Sequence, residues 1–338
     1  MNATILPNSE KHYPVLLDEI LSIISPQNGG TFIDCTFGQG GYSSSILKFN
    51  NTNVIALDRD PDCKLIAKKF KELNKERFLF FNKKFSDVNQ IKKGNSKIKA
   101  IIFDLGYSYS QIKNPNKGLS FESKGNLNMR LGLNDFSANE VINKLGQKDL
   151  ELIFKYFGED KDSKIISKKI VRERAKSNLN TENLVDIINS VKKKSGKTHN
   201  ATKIFQAIRM FVNKEISELI YGLINSTKIL DINGILCAVS FHSIEDRIIK
   251  YYFKSLSEDK KISRYLPEEK NRNKLFLLKS KKPIIPTQKE LTLNRPSRSA
   301  KLRYAIKKIN LINFEKDFLN KFSKLLEIEN LSKKLWKI

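Results

Sequence analysis

Thr31-Phe32-Ile33-Asp34-Cys35-Thr36-Phe37-Gly38-Gln39-Gly40-Gly41-Tyr42-Ser43 carries the chain's strongest fold signal. An apolar run, Thr31–Thr36, breaks into a glycine-rich turn, as a buried strand does when it hands the chain to a helix. Working outward, three further apolar runs come next: Asn53–Asp58 (NVIALD), Phe78–Asn82 (FLFFN) and Ile98–Asp104 (IKAIIFD). Between the second strand and the third, Asp60-Pro61 reads as an N-cap with a first-turn proline, opening a helix through Phe70. Apolar strands separated by helices predict βαβ units and a parallel sheet buried on both faces.

Beyond Asp104 the pattern changes. Residues 112–200 contain a polar loop (KNPNKGLSFESKGNLNMRLG) and helical stretches but no convincing strand. Ser137-Ala138-Asn139-Glu140 has the spacing of a capping box, and Thr181 precedes another apolar-periodic run. We therefore expect a helical insertion at 112–200 inside a discontinuous α/β domain made of 1–111 and 201–309. The sheet resumes after a long amphipathic helix expected at Phe205–Leu230. Ile235–Phe241 is a fifth strand, Ser243-Ile244-Glu245-Asp246 caps the next helix, and Pro283–Pro286 with Ala300–Ile309 suit a closing antiparallel hairpin. Residues 310–338 form a helical extension, with one amphipathic helix expected from 314 that aligns Phe314, Phe318, Phe322 and Leu325 on one face.

Composition narrows the function. The 338 residues, with 40% hydrophobic and 29% charged content, are ordinary globular material. No long uncharged apolar run suggests a membrane span, and the first residues lack a secretion signal. Cys35, Cys63 and Cys237 match no disulfide or zinc spacing, which fits a cytoplasmic location. The net charge of +26 favours a polyanionic partner. Only 12 of the 62 basic residues are Arg, so part of that charge reflects a compositional bias toward Lys.

Several positions carry candidate chemistry. Gly38 and Gly40 sit at alternate positions in the turn, where backbone without a Cβ approaches a ligand closely; a turn needing positive φ would also use glycine. Asp58 ends the second strand about 20 residues further on, the register of a carboxylate that receives ribose hydroxyls. Dinucleotide enzymes share that feature, but Ser43 stands where their third glycine falls. Asp104-Leu105-Gly106-Tyr107 ends the fourth strand. A carboxylate here suits an acceptor for an exocyclic amine, whose delocalised lone pair makes it a poor nucleophile; a loop anchor is the competing role. His242 is a candidate general base or a structural strand-end residue. The three histidines form no metal-ligand spacing, so no metal is expected. Arg295, Arg298, Lys301 and Arg303, interleaved with hydroxyls, suit phosphates or a solvated strand.

Nine ordered segments together resemble one family, the bacterial 16S ribosomal RNA cytosine-N4 methyltransferases known as MraW. They are His12–Leu17, the DCTFGQGG turn, Asp58–Pro61, Asp104–Gly106, Lys117–Phe121, Asn128–Arg130, Ala201–Arg209, Phe241–Ile248 and Asn294–Arg303, and the likeness covers nearly all of 11–308. The resemblance implies a Rossmann-like class I methyltransferase fold, S-adenosyl-L-methionine as cofactor, and the 16S rRNA of the small ribosomal subunit as partner. It further implies methyl transfer to N4 of a decoding-centre cytidine, and cofactor contacts at Gly40, Gly41, Tyr42, Asp58, Phe85, Asp104 and Gln111. Asp104 is also the catalytic candidate. The chain departs from the family pattern in three places: Tyr42 stands for the usual His, Tyr107-Ser108-Tyr109-Ser110 for Val-Ser-Ser-Pro, and Asn128 for Asp. Two other readings remain open at this point, an amino-methyltransferase for another RNA or DNA, and an RNA-binding assembly factor without turnover.

Overall fold

The structure, a computed structural model, describes residues 14–92, 94, 96–108, 111–112, 114–121, 127–193, 199–257 and 274–336. The expected features at His12, Tyr13, Tyr109 and Ser110 lie outside them. Seven strands form one sheet: β1 (Gly30–Asp34), β2 (Thr52–Leu57), β3 (Phe78–Phe81), β4 (Ile98–Asp104), β5 (Ile235–Ser240), β6 (Phe276–Leu277) and β7 (Lys301–Lys307). Their order is β3-β2-β1-β4-β5-β7-β6. The first five are parallel, while β7 runs antiparallel to β5 and β6 antiparallel to β7. This is the mostly parallel, doubly wound, Rossmann-like sheet expected from the sequence.

Side-chain alternation along the strands divides the core in two. Phe32, Val54, Ala56, Ala100, Ile102, Cys237 and Val239 join one cluster with helices α1 (Leu17–Ile24), α2 (Gly41–Leu47) and α3 (Cys63–Asn74). Ile33, Ile55, Leu57, Ile101, Phe103, Leu236 and Ala238 face the other side. There they meet α4 (Ala138–Lys144), α5 (Gln147–Tyr156), α6 (Ser163–Arg174), α7 (Thr181–Val191), α8 (Thr202–Asn213), α9 (Glu215–Ile229) and α10 (Ser243–Ser255). Apolar residues of 112–200, such as Phe154, Ile166 and Leu184, thus share one continuous cluster with the sheet. A short α11 (Gln288–Leu293) leads to the Arg295–Ser299 turn, and α12 (Lys316–Lys321) and α13 (Ser323–Glu329) come after β7.

Five local expectations need correction. The long helix at Phe205–Leu230 is two helices, because Lys214 adopts a left-handed conformation at φ 51° and restarts the chain. The single C-terminal helix is likewise broken at Phe322, although Phe314, Phe318 and Phe322 are buried as their spacing predicts. The main partner of β7 in the closing hairpin is Phe276–Leu277; Ile284 supplies only an isolated bridge to Leu302. Asp60 does not cap α3, whose N-cap is Asp62; its carboxylate accepts from the Asp62 N–H and pairs with Lys117. Finally, α10 is capped by His242 with Glu245, one residue before the expected Ser243.

Candidate active site

The turn after β1 is held by Asp34. Its carboxylate accepts from Ser43 Oγ at 2.7 Å and from the Thr36 N–H at 3.2 Å. The two glycines of the turn do different work. Gly38, at φ 51°, has nothing but the Thr36 carbonyl near a hypothetical Cβ, so its bare backbone borders the cleft. Gly40, at φ 78°, is the N-cap of α2, and a Cβ there would strike the Phe70 ring at 2.5 Å. The bare backbone of Gly40 lets the loop pack on α3. Gly41 and Tyr42 do line the cleft.

Asp58, just past β2, accepts from the Gly38 N–H and the Asp60 N–H, each at 2.8 Å. Asp104, at the end of β4, accepts from the Gly106 N–H at 3.0 Å and lies 3.2 Å from the Tyr42 hydroxyl, which also bonds the Val15 carbonyl. A Cβ at Gly106 would crowd both Asp104 and Phe241 at 2.9 Å, so the tight backbone after β4 requires glycine. Burial pushes Asp34 and Asp104 up to about 6. It raises Asp58 as well, against the N–H bonds that favour its charge. Asp34 is raised further by Asp58 and Asp104, and Asp104 by Glu245. A cationic ligand is the chemistry such a wall accepts.

Phe85 and Gln111 complete this side. Phe85 packs edge-on against Phe103, and Gly222 leaves the room for it, since a Cβ there would meet its ring at 2.7 Å. Gln111 donates to Asp60 at 2.8 Å and accepts from the Ser108 N–H. Asn128, one of the departures, bonds the Asn116 carbonyl and the Arg130 side chain and is not a cleft residue.

The opposite wall of the cleft, whose volume is about 800 Å³, comes from α8, α9, α10 and the segment after β4. Arg209 forks onto Glu215 at 3.0 and 3.1 Å and lies over the Tyr107 ring, 4.0 Å from its centroid. The Tyr107 hydroxyl donates to Glu215 at 2.6 Å. Glu245 accepts from the Phe241 N–H at 2.8 Å and stands 3.0 Å from His242 Nε2. Despite burial, His242 and the Phe241 N–H hold the Glu245 carboxyl low, with Arg209 adding to them. Glu215, His242 and Glu245 bring potential metal-ligand atoms within 4.8 Å of one another, a grouping that histidine spacing did not reveal. Arg209, Tyr107 and backbone N–H groups already occupy the two carboxylates. Of these wall residues, local sequence singled out His242 and, as part of a cap, Glu245, but gave no role to Arg209 or Glu215, which come from distant segments; the signal available was the Ala201–Arg209 block, which supplies Gln206 and Arg209.

The four basic candidates separate. Arg295 and Arg298 are exposed on the turn before β7, and Arg295 borders the cleft. Arg303 is committed to Asp246 at 2.7 Å and to the Lys281 carbonyl, with its side chain only 10% exposed. Lys301 also reaches Asp246, at 3.4 Å. For Arg303 the expected phosphate contact is corrected to an internal ion pair that ties β7 to α10.

A family model described as the MraW methylase family matches residues 9–308. A Rickettsia bellii protein named ribosomal RNA small subunit methyltransferase H is 42% identical over 304 residues, covering 88% of this chain and 99% of the relative. An Orientia tsutsugamushi protein of the same name is 39% identical over 306 residues, covering 88% and 98%. Among solved structures, a Streptococcus mutans methyltransferase in complex with SAH covers 86% of this chain and 97% of its own, at 11% identity and a TM-score of 0.39. No helix among the described residues is long and apolar enough to cross a membrane.

Proposed function

The chain belongs to the MraW methylase family, and from that premise we propose that it transfers a methyl group from S-adenosyl-L-methionine to N4 of a decoding-centre cytidine in 16S rRNA, leaving S-adenosyl-L-homocysteine. The relatives carry the name of small-subunit rRNA methyltransferases over almost their whole length. The observation that carries the cofactor reading is the pair of half-buried carboxylates that line the cleft beside the Gly38 turn, Asp58 and Asp104, both raised by desolvation, while Asp34 is buried behind the turn and holds it. A ligand bearing a sulfonium and an ammonium relieves that energetic cost, and the adenosine ribose suits Asp58. Gly41, Tyr42, Phe85 and Gln111 line the same space.

When bound, the cofactor supplies an electrophilic methyl with its own leaving group. The protein's task is to restore the amine's nucleophilicity and to align it. Asp104 accepts an N–H of the target amine and later takes the proton the nitrogen loses as the N–C bond forms. Its carboxyl, held at about 6 by burial, is basic enough for that role near neutral pH. Tyr42 and the Gly106 N–H fix its orientation. The compensated wall of Tyr107, Arg209 and Glu215 receives the base, and Arg295 and Arg298 receive phosphates. The helices of 112–200 act in substrate recognition, continuous with the sheet's core.

The deciding experiment is methyl transfer to purified small subunits and to naked 16S RNA, with the product nucleoside identified by mass spectrometry. N4-methylcytidine at a single decoding-centre position is expected. Methyl on another base or on DNA, or cofactor binding with no transfer, would overturn the reading.

A further inference from the structure

The family match ends at residue 308, and the curated relatives cover 88% of this chain. The segment C-terminal to β7 is nevertheless built into the core. Phe314, Phe318 and Phe322 are buried, and Phe318 packs against Tyr252 at 4.6 Å between ring centroids. Lys228 pairs with Glu315 at 3.0 Å, and Lys334 reaches back to Asp149 in α5 at 2.7 Å. The C-terminal segment therefore grips α5, α9 and α10 together.

Midway along, it places a buried carboxylate at the start of α9. Glu329, 3% exposed, accepts from the Ile216 N–H at 2.8 Å with one oxygen and from the Ser217 N–H at 2.9 Å with the other. The first N–H groups of a helix have no partner within it, and the residue before α9, Lys214, supplies no side-chain cap. Glu329 fills that place from 113 residues away and complements the positive end of the helix. The first residue of the helix so capped is Glu215, which bonds both Tyr107 and Arg209 in the cleft wall.

We infer that Glu329 is a positioning residue for catalysis: through the N-terminus of α9 it fixes Glu215, and with it the Tyr107–Arg209 wall that receives the target base. The assignment of that wall to the base rests on the proposed function. Tyr107 stands where the family resemblance has Val, so an enlarged wall and the extension that braces it occur in the same chain.

The test uses full-length Glu329→Ala and Glu329→Gln proteins, each checked for cooperative unfolding. Amide hydrogen exchange should accelerate by roughly tenfold at 215–218 in the Ala variant, the scale of a lost cap, and should also rise at 104–108. Cofactor affinity should stay within about twofold, because Asp58 and Asp104 lie on other elements, while turnover on small-subunit RNA should fall by roughly tenfold at saturating cofactor. Glu329→Gln, which keeps one acceptor, should recover part of both effects. Faster exchange at 215–218 with normal turnover and an undisturbed 104–108 segment would make Glu329 a stabilising residue only and overturn the inference. So would unchanged exchange. If the wild-type protein transfers no methyl group, the functional reading fails. The exchange data then decide only whether Glu329 orders the Tyr107–Arg209 wall: acceleration at both segments supports that ordering, and at 215–218 only refutes it.

Discussion

The two walls of the cleft hold comparable numbers of carboxylates in opposite electrostatic states. At the ends of β2 and β4, the cleft-lining Asp58 and Asp104 are both raised, with burial as the largest cause. On the facing wall Glu215 is forked by Arg209, and Glu245 is held low by His242, backbone N–H and Arg209. Asp58 and Asp104 leave their negative charge for a ligand to neutralise; Glu215 and Glu245 are already compensated, and Glu218 on α9, raised by burial, has Lys84 at 3.7 Å. A desolvated charge without a partner costs free energy, and such groups concentrate at functional sites, where a ligand offsets the cost. The contrast therefore assigns the cation to the first wall and a neutral, hydrogen-bonding base to the second.

The largest expected effect comes from removing the charge on the first wall nearest the chemistry. Asp104→Asn keeps shape and one acceptor oxygen, and its turnover at saturating cofactor should fall by around a hundred-fold, the scale of losing one preorganised electrostatic partner. Single-turnover kinetics measures this. Wild-type turnover together with wild-type cofactor affinity in the folded variant would remove Asp104 from the reaction.

Next, Asp58→Ala should weaken cofactor binding by about 1.5–3 kcal/mol, the range of a hydrogen bond to a charged group. Calorimetric titration gives the number. Glu215→Gln on the facing wall should leave the cofactor constant within about twofold, so equal losses in the two variants would erase the distinction between the walls.

Acid should act on Asp104 at the first wall and on Asp34 behind it. Asp34 and Asp104 titrate at about 6 in the folded protein, above the ordinary 3.8. Their protonated forms thus favour the folded state: that contribution is complete below about 4 and is lost as pH rises through about 6. Ligand binding has the opposite sign, because the cation needs the ionised carboxylates. Cofactor affinity should weaken roughly tenfold per pH unit below about 6 for each proton taken up, and Asp104→Asn should flatten that slope. A pH-independent affinity between about 5 and 7.5 contradicts the cationic assignment.

The smallest effect lies outside both walls. Replacing Arg295 and Arg298 by Ala should reduce the dependence of RNA affinity on log salt by roughly one unit per lost phosphate contact. The same change at Arg303 should instead cost stability, since its guanidinium holds Asp246. An unaltered salt slope in the Arg295/Arg298 variant returns that turn to a structural role.

Much of this was legible in the chain itself. Four apolar runs, a glycine turn and the acids at 34, 58 and 104 lie within about the first third of the sequence, and strand periodicity plus short connections dictate that β1, β2 and β4 present them at one end of the sheet. Their chemistry is local to strand ends, so local sequence reveals it. The facing wall is different in kind. Whether Arg303 meets a phosphate or Asp246, whether Phe205–Leu230 is one helix or two, and what Gly40 touches depend on partners far away in the chain. Helical periodicity continues across Lys214, and nothing near it signals a restart. The break is sustained by a carboxylate that arrives from the C-terminal extension to satisfy N–H groups 112 and 113 residues distant. Patterning and turn chemistry determine which elements form and where a strand-end acid falls. Only the folded packing decides which buried charges find a partner, because that outcome depends on the whole chain's arrangement in space and not on any residue's neighbours in sequence.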